Sequence, residues 1–404
     1  MQPSPFSRVR ARLLGSKMTR LEQENKQLRR RIYEQEAASP PPIPEASPEE
    51  LEHLRETVRT ARREGTLFEL AADIAAKKQQ TGYYCREAML EALKQASAEG
   101  ETAEDRMRRL LMPAFTTSEL PERFVRGIEH RAVPSLESLA SFRGQLTSRV
   151  RRRQKGHQLP EWELDDKQVS RQFASEIGLR VPEVIEKNAP LAALPLEAGT
   201  VVKPAAGAGG RGVYILRSET DILNAKTSEV LTSTAELKEI MQKDLQHGRV
   251  AEDRWNVEKL YYADEDTGEP ARDIKCYTFY GKTALILEIT RSPETAYCWW
   301  TPDGERVDTG KYTGSLMEGK GILREELDAA ARLGAALPAP FCRFDLLRTT
   351  EGLVFGECTP KPGNYDQFNE TIDIALGEAF LDAEERLFQD LVNGASYPYW
   401  RNLL

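Results

Sequence analysis

Leucine recurs every seventh residue near the start of the chain, at Leu14, Leu21 and Leu28, and Met18, Asn25 and Ile32 interleave with it. An apolar period of about 3.5 residues belongs to a coiled coil, with the leucines at d and the second set at a. A single Asn at an a position fixes register in a parallel dimer, and the flanking charges agree: Lys17 would meet Glu22, Glu24 would meet Arg29, and Arg31 would meet Glu36 of a partner helix. The pattern predicts a homodimerising coiled coil over residues 1–37, with a single solvated helix as the alternative. Prolines at 40, 41, 42, 44 and 48 then remove backbone donors and fix φ, so residues 38–49 read as an extended linker. Residues 50–158 keep a helical period and carry no motif to which chemistry attaches.

From Glu161 the texture changes to strands and turns interleaved with helices, and residues 159–404 read as the catalytic domain. DDKQVSRQFASEIG predicts a helix capped by Asp165, with Val169, Phe173 and Ile177 on one face and a stop at Gly178. Lys167 falls in its first turn, where a cation opposes the helix dipole, so it either serves a group outside the helix or is merely exposed. DIKCYTFYGKTALILEITR predicts two strands turning at Tyr280-Gly281-Lys282, with Asp273 and Lys275 on one face.

The 404 residues carry a net charge of −8 with 30% charged positions, which argues against bulk nucleic-acid affinity. The basic run from Arg149 to Lys155 is then read as a helix end or solvated face, with an acidic polymer or membrane surface as the sharper alternative. Five scattered cysteines and four isolated histidines suggest neither a disulfide framework nor a zinc site. No stretch has the length and apolarity of a signal peptide or membrane span, so the expected setting is a reducing, ATP-containing cytoplasm.

Two stretches carry candidate chemistry. In VVKPAAGAGGRGVYIL, Lys203 precedes Gly207, Gly209, Gly210 and Gly212, and a strand follows them. A P-loop has the reverse order and opens a helix, so this element is a β-hairpin with a glycine tip, able to close backbone N–H groups over phosphate oxygens. An ordinary flexible hairpin is the bland alternative. In FCRFDLLRTTEGLVFGECTPKPGNY, a turn at Thr349 to Gly352 places residues whose numbers sum to 701 or 702 opposite each other, so Asp345 faces Gly356 or Glu357. Arg343 and Asp345 share a face, as do Glu357 and Thr359. Two opposed carboxylates repel unless a cation lies between them, and hard oxygen donors beside a phosphate site suit Mg²⁺. A solvated charged hairpin is the alternative, opposed by the apolar Phe341, Phe344, Leu346, Val354 and Phe355 around it. Between these stretches, RWNVEKLYY predicts a strand ending at Glu258, Lys259 and Leu260, where backbone groups would suit an adenine edge.

Taken in order, DDK, VVKP with its glycine hairpin, VEKL, and RFDLL with GECTPKPG resemble an ATP-grasp ligase over about residues 161–380. DIKCYTFYGK, TRSPETAYCWW and FGECTPKPGNYDQF resemble its TupA-like group, linked to teichuronopeptide and other cell-envelope polysaccharide biosynthesis. The resemblance implies an α+β ATP-grasp fold behind the coiled coil and helical region. It also implies that Lys167 and Lys203 hold the phosphates of ATP, that Gly207 to Gly212 form a lid, and that Glu258, Lys259 and Leu260 lie at adenine. Asp273 would take the ribose hydroxyls with Lys275 beside it, Asp345 and Glu357 would take Mg²⁺, and Arg343 would stabilise reacting oxygens. Thr359, which can still donate one oxygen to the metal, stands where the family pattern has Asn, which weakens a full two-metal site. Arg291, Trp299, Trp300 and Lys361 are candidates for an acceptor pocket, with packing as the alternative for the tryptophans. The implied activity joins a carboxylate to an amine through an acyl phosphate; a kinase, or a coiled-coil scaffold with an inactive nucleotide site, are the competing readings.

Overall fold

The computed structural model describes residues 47–128, 134–206, 210–291 and 294–402. The expected coiled coil over 1–37 and most of the linker lie outside the described residues. The described chain forms two compact units that divide between Ala140 and Ser141.

The first unit is helical. Helix α1 (Pro48–Glu64) starts at Ser47, whose hydroxyl accepts from the Glu50 N–H while the Glu50 carboxylate accepts from the Ser47 N–H, a reciprocal cap that satisfies two otherwise orphaned donors. Gly65, at φ 78°, ends it. Helices α2 (Leu67–Glu99) and α3 (Glu101–Leu111) follow, and their small core gathers Leu93, Met112, Phe115, Phe124 and Ile128.

The second unit begins earlier than the residue 159 expected from sequence, for a packing reason. Helix α4 (Phe142–Gln154) buries Phe142 and Leu146 among Tyr277, Phe279, Phe341 and Phe380. Each such fully buried side chain contributes about 1.5–3 kcal/mol, so the helix belongs with the sheet that it covers. Its basic end divides by function. Arg149 is buried and donates to Glu161 at 2.7 Å, whereas Arg151, Arg152 and Arg153 of the last turn are exposed beside the helix C-terminus.

Helix α5 (Lys167–Glu176) is capped by Asp166, one residue later than expected, because the Asp166 carboxylate reaches the N–H groups of Gln168 and Val169. Beyond it lie two antiparallel sheets. The first takes strands β1 (Val184–Ala189), β2 (Thr200–Pro204), β3 (Tyr214–Ser218), β4 (Asp221–Asn224), β5 (Val230–Leu231) and β6 (Trp255–Lys259) in the order β1-β6-β2-β3-β4-β5. Val202, Tyr214, Leu216, Trp255 and Val257 pack against Leu237 and Met241 of helix α6 (Thr234–Gln246). By the period of two, Val201, Lys203 and Ile215 point the other way.

A ribbon of β7 (Tyr262–Asp264) and β8 (Glu269–Pro270) leads to the second sheet. Its strands are β9 (Arg272–Phe279), β10 (Lys282–Thr290), β11 (Ala296–Trp300), β12 (Cys342–Thr349) and β13 (Gly352–Thr359), in the order β11-β10-β9-β12-β13. The turn from β9 to β10 is the one expected, with Tyr280 at φ 41° and Gly281 at φ 81°, the two positive values a twisted two-residue hairpin turn demands. One face, with Ile274, Cys276, Ile286, Phe344 and Phe355, lies under helix α7 (Arg324–Ala336). The opposite face is apolar at one end, under α4 and helix α8 (Glu370–Val392), and charged at the other, where Asp273, Lys275 and Asp345 stand. Among the described residues no helix is long and apolar enough to cross a membrane.

Candidate nucleotide and metal site

The charged end of the second sheet and the outward face of the first line one cleft of about 270 Å³. It collects Lys167, Lys203, Gly210, Glu258, Lys259, Leu260, Asp273, Lys275, Arg291, Asp345 and Glu357, which are far apart in the chain.

Its floor follows from strand register. The β12–β13 hairpin pairs Arg343 with Thr359 and Asp345 with Glu357, then shifts by one residue so that Leu346 pairs with Phe355. Both expected sums, 702 and 701, therefore occur, and Gly356 is the extra residue. A Cβ there would lie 2.9 Å from the Asp345 carbonyl, so glycine is the residue that lets the strands close past the bulge. On its other side β12 pairs Asp345 with Lys275 of β9. Glu357, Asp345 and Lys275 thus form one row across three adjacent strands. Two side-chain cations gather on Asp345. Arg343 donates to both Asp345 oxygens, at 2.6 and 2.7 Å, and Lys275 forms an ion pair with the same carboxylate. Burial alone would raise the Asp345 pKa, but Arg343 and then Lys275 outweigh it and hold the carboxyl below its ordinary range. Arg291 pairs with Asp273 at 2.5 Å at the edge of the floor.

The wall is built differently. Lys203 on β2 reaches Glu258 on β6 at 2.6 Å, and Arg171 of α5 forms a second ion pair with that carboxylate. Burial pulls the Lys203 ammonium below its usual pKa, with Glu258 opposing. Burial would lift Glu258, and the two cations depress it instead. Val201, Val213, Ile215, Ala225 and Leu260 on this side, with Leu347 of the second sheet, give the cleft an apolar lining. Gly210 and Gly212, leading into β3, take φ 75° and φ 69°. Gly212 has a second constraint: a Cβ would come within 2.8 Å of Val250 Cγ2 and 2.9 Å of Pro204 Cγ. Gly207 and Gly209 lie outside the described residues.

Other expectations need correction. The Leu260 N–H already donates to the Gly199 carbonyl at 2.8 Å, so it is no free donor for an adenine edge. The Lys259 ammonium binds Glu351 at 2.8 Å, at the tip of the β12–β13 hairpin. The Thr359 hydroxyl accepts from Arg343 at 2.9 Å and is turned into that pair. Trp299 and Trp300 are not brought to the cleft: neighbours on one strand point to opposite faces, and both are buried, one in each of the two cores beside the sheet. Lys361 is exposed and away from the cleft lining.

Sequence reasoning missed Arg171, although its position four residues after Lys167 on one helix face signals it. It also missed Tyr261, a buried cleft residue whose ring lies under Arg180 and Lys259 at 5.2 and 5.3 Å. No local signal marks that ring.

Residues 145–381, more than half of the chain, match the family model of the TupA-like ATP-grasp proteins. The chain belongs to the TupA-like ATP-grasp family. Among the solved structures to which this ATP-grasp chain is similar are three at 14% identity. One is the macrocyclase MdnC bound with precursor peptide MdnA from Microcystis aeruginosa MRC, with 55% of this chain and 60% of that chain covered and a TM-score of 0.31. Another is the ATP-grasp ligase PsnB complexed with minimal precursor, with 62% and 68% covered and a TM-score of 0.32. The third is D-alanine–D-alanine ligase from Bacillus anthracis, with 55% and 69% covered and a TM-score of 0.32. The ATP-grasp chain therefore spans less than two thirds of the macrocyclase. No curated protein matches it.

Asp345 and Glu357, paired across the hairpin and both lining the cleft, have the hard oxygen donors that suit Mg²⁺. Among the described residues no group of three or more His, Cys, Asp or Glu side chains forms a protein-only metal cage. Such a site suits an ion that keeps water and substrate phosphate as its remaining ligands.

Proposed function

We propose that this ATP-grasp protein is an ATP- and Mg²⁺-dependent carboxylate–amine ligase that modifies a cell-envelope polysaccharide or peptide precursor. The observation that carries the reading is the convergence of Lys167, Lys203 and Lys275 with Asp345 and Glu357 on a single cleft. The cations match a triphosphate, and the acids match its metal.

In this reading the apolar lining of Val201, Ile215 and Leu260 takes the adenine ring, and Asp273, oriented by Arg291, takes the ribose hydroxyls. Lys203 and Lys167 on the wall and Lys275 on the floor hold phosphate oxygens. Mg²⁺ held by Asp345 and Glu357 would neutralise charge on those oxygens. An oxygen of the substrate carboxylate attacks the γ-phosphorus, and ADP leaves with the electrons of the broken P–O bond. The amine then attacks the acyl carbon and loses a proton as phosphate departs. Arg343, held by Asp345 just outside the cleft lining, would offer its charge to the negative oxygens that develop in both steps. A glycine-rich hairpin closed over bound ATP would exclude water, which otherwise hydrolyses the acyl phosphate. Arg291 remains a candidate for the acceptor carboxylate.

The test incubates the full-length chain with ATP, Mg²⁺, and panels of amino acids and uronic acids, following ADP release together with product mass. ADP with an amide product supports the ligase. ADP with a phosphorylated product and no amide replaces it with a kinase, and failure to bind nucleotide favours the scaffold reading.

A further inference from the structure

A lysine outside the cleft lining is buried beside the site in an unusual way. Lys311 is 3% exposed, yet its ammonium donates to two backbone carbonyls, Asn364 at 2.8 Å and Gly363 at 3.3 Å. Aromatic rings close the rest of its surroundings: Phe368 at 4.5 Å, Tyr312 at 5.6 Å and Trp299 at 6.0 Å. Ring faces and carbonyls both present negative charge, so they replace part of the water that a buried ammonium loses. The compensation is incomplete. Burial, with the charge of Arg343 behind it, pulls the Lys311 pKa down to about 8, and Asp366 works in the opposite direction.

The carbonyls that it holds belong to the loop leaving β13, the strand that carries Glu357 and Thr359. Asn364 is at φ 53° and Tyr312, next to the lysine, at φ 60°, two left-handed positions without glycine. Such backbone persists where surrounding contacts over-determine it. Further bonds join the same two segments: the Asn369 N–H donates to the Thr309 carbonyl at 2.9 Å, and the Asn369 amide donates to the Asp308 carbonyl at 3.0 Å. The buried charge is the one element of this seam that costs solvation to place, which a purely structural contact between loops does not need.

We propose that Lys311 is a positioning residue: its ring-enclosed ammonium pins the Gly363–Asn364 backbone and thereby fixes the loop that follows the Glu357 strand beside Arg343. This assignment rests on the ligase reading for its effect on rate, but its structural half does not. Trp299, an expected sugar-binding ring, becomes part of the enclosure.

The test compares amide hydrogen exchange and kinetics in Lys311→Met, Lys311→Arg and Phe368→Leu. Lys311→Met should speed exchange over residues 363–369 by about tenfold or more while central β9 amides stay protected, and Lys311→Arg should restore most of the protection. With an acceptor that supports ADP release, Lys311→Met should lower kcat by about tenfold or more with little change in KM for ATP, and Lys311→Arg should recover it. Phe368→Leu, which keeps the charge and removes the nearest ring, should act in the same direction more weakly and covers the case in which Lys311→Met does not fold. Unchanged exchange in both Lys311→Met and Phe368→Leu overturns the proposal, as does a kcat that stays constant while the loop loosens. If the wild-type chain makes no amide with any acceptor, the ligase reading fails, and the exchange result stands by itself.

Discussion

The wall and the floor of the cleft solve one electrostatic problem with different parts. In each, one buried carboxylate holds two cations: Glu258 takes Lys203 and Arg171, and Asp345 takes Arg343 and Lys275. Each group of three carries a net positive charge, as a polyanionic ligand requires. On the floor all three residues lie on two adjacent strands, and Asp345 is 5% exposed. On the wall they come from a helix and two strands; Glu258 is as buried, at 4%, and the cations differ modestly, with Lys203 and Arg171 side chains at 21% and 17% against 15% and 11% for Lys275 and Arg343. The floor is therefore set by the register of neighbouring strands, while the wall also depends on where α5 packs.

That contrast orders the expected effects. Asp345→Asn leaves two cations buried without their counter-charge, and a urea titration should show a loss of about 3–5 kcal/mol. Glu258→Gln should cost clearly less, and equal losses would erase the distinction between floor and wall. In turnover the two sides should look alike: Lys203→Ala and Glu357→Gln should each reduce ADP release by on the order of 10² to 10³. Acid should separate the variants again. The Asp345 and Glu258 pKa values are depressed in the fold, so their stabilisation is complete above the ordinary carboxylate range near about pH 4 and is lost as pH falls through the folded values. Melting temperatures should fall below about pH 4 in the wild type and fall less steeply in Asp345→Asn. Gly212→Ala combines a positive φ with contacts under 3 Å and should cost about 1–3 kcal/mol. Lys259→Ala breaks an exposed pair with Glu351 and should leave the urea midpoint unmoved.

The floor was legible in the chain because a two-residue period and one turn are local facts. Once Thr349 to Gly352 are read as the turn, Asp345 must oppose Glu357 or its neighbour, and the structure uses both sums through the bulge at Gly356. The β9–β10 turn at Tyr280-Gly281 was legible for the same reason. The wall was legible only in part. Lys203 and Glu258 were found as separate residues, but their pairing depends on β6 entering the sheet between β1 and β2, a non-local choice. Trp299 and Trp300 misled because exposure of a strand residue depends on what covers each face, and here both faces are covered. Lys311 gave no sign at all, since neither the Phe368 ring nor the Asn364 carbonyl is near it in sequence.

By itself the chain determined the alternation of its strands, the glycines and acids at its turns, and membership in a family of nucleotide-using proteins, because each is written in residues close together. Only the tertiary structure decided which cations meet which carboxylates, where the first unit ends, and which rings are buried. Those outcomes come from long-range burial, where the cost of removing a charge or a ring from water is settled by partners that the backbone brings from elsewhere.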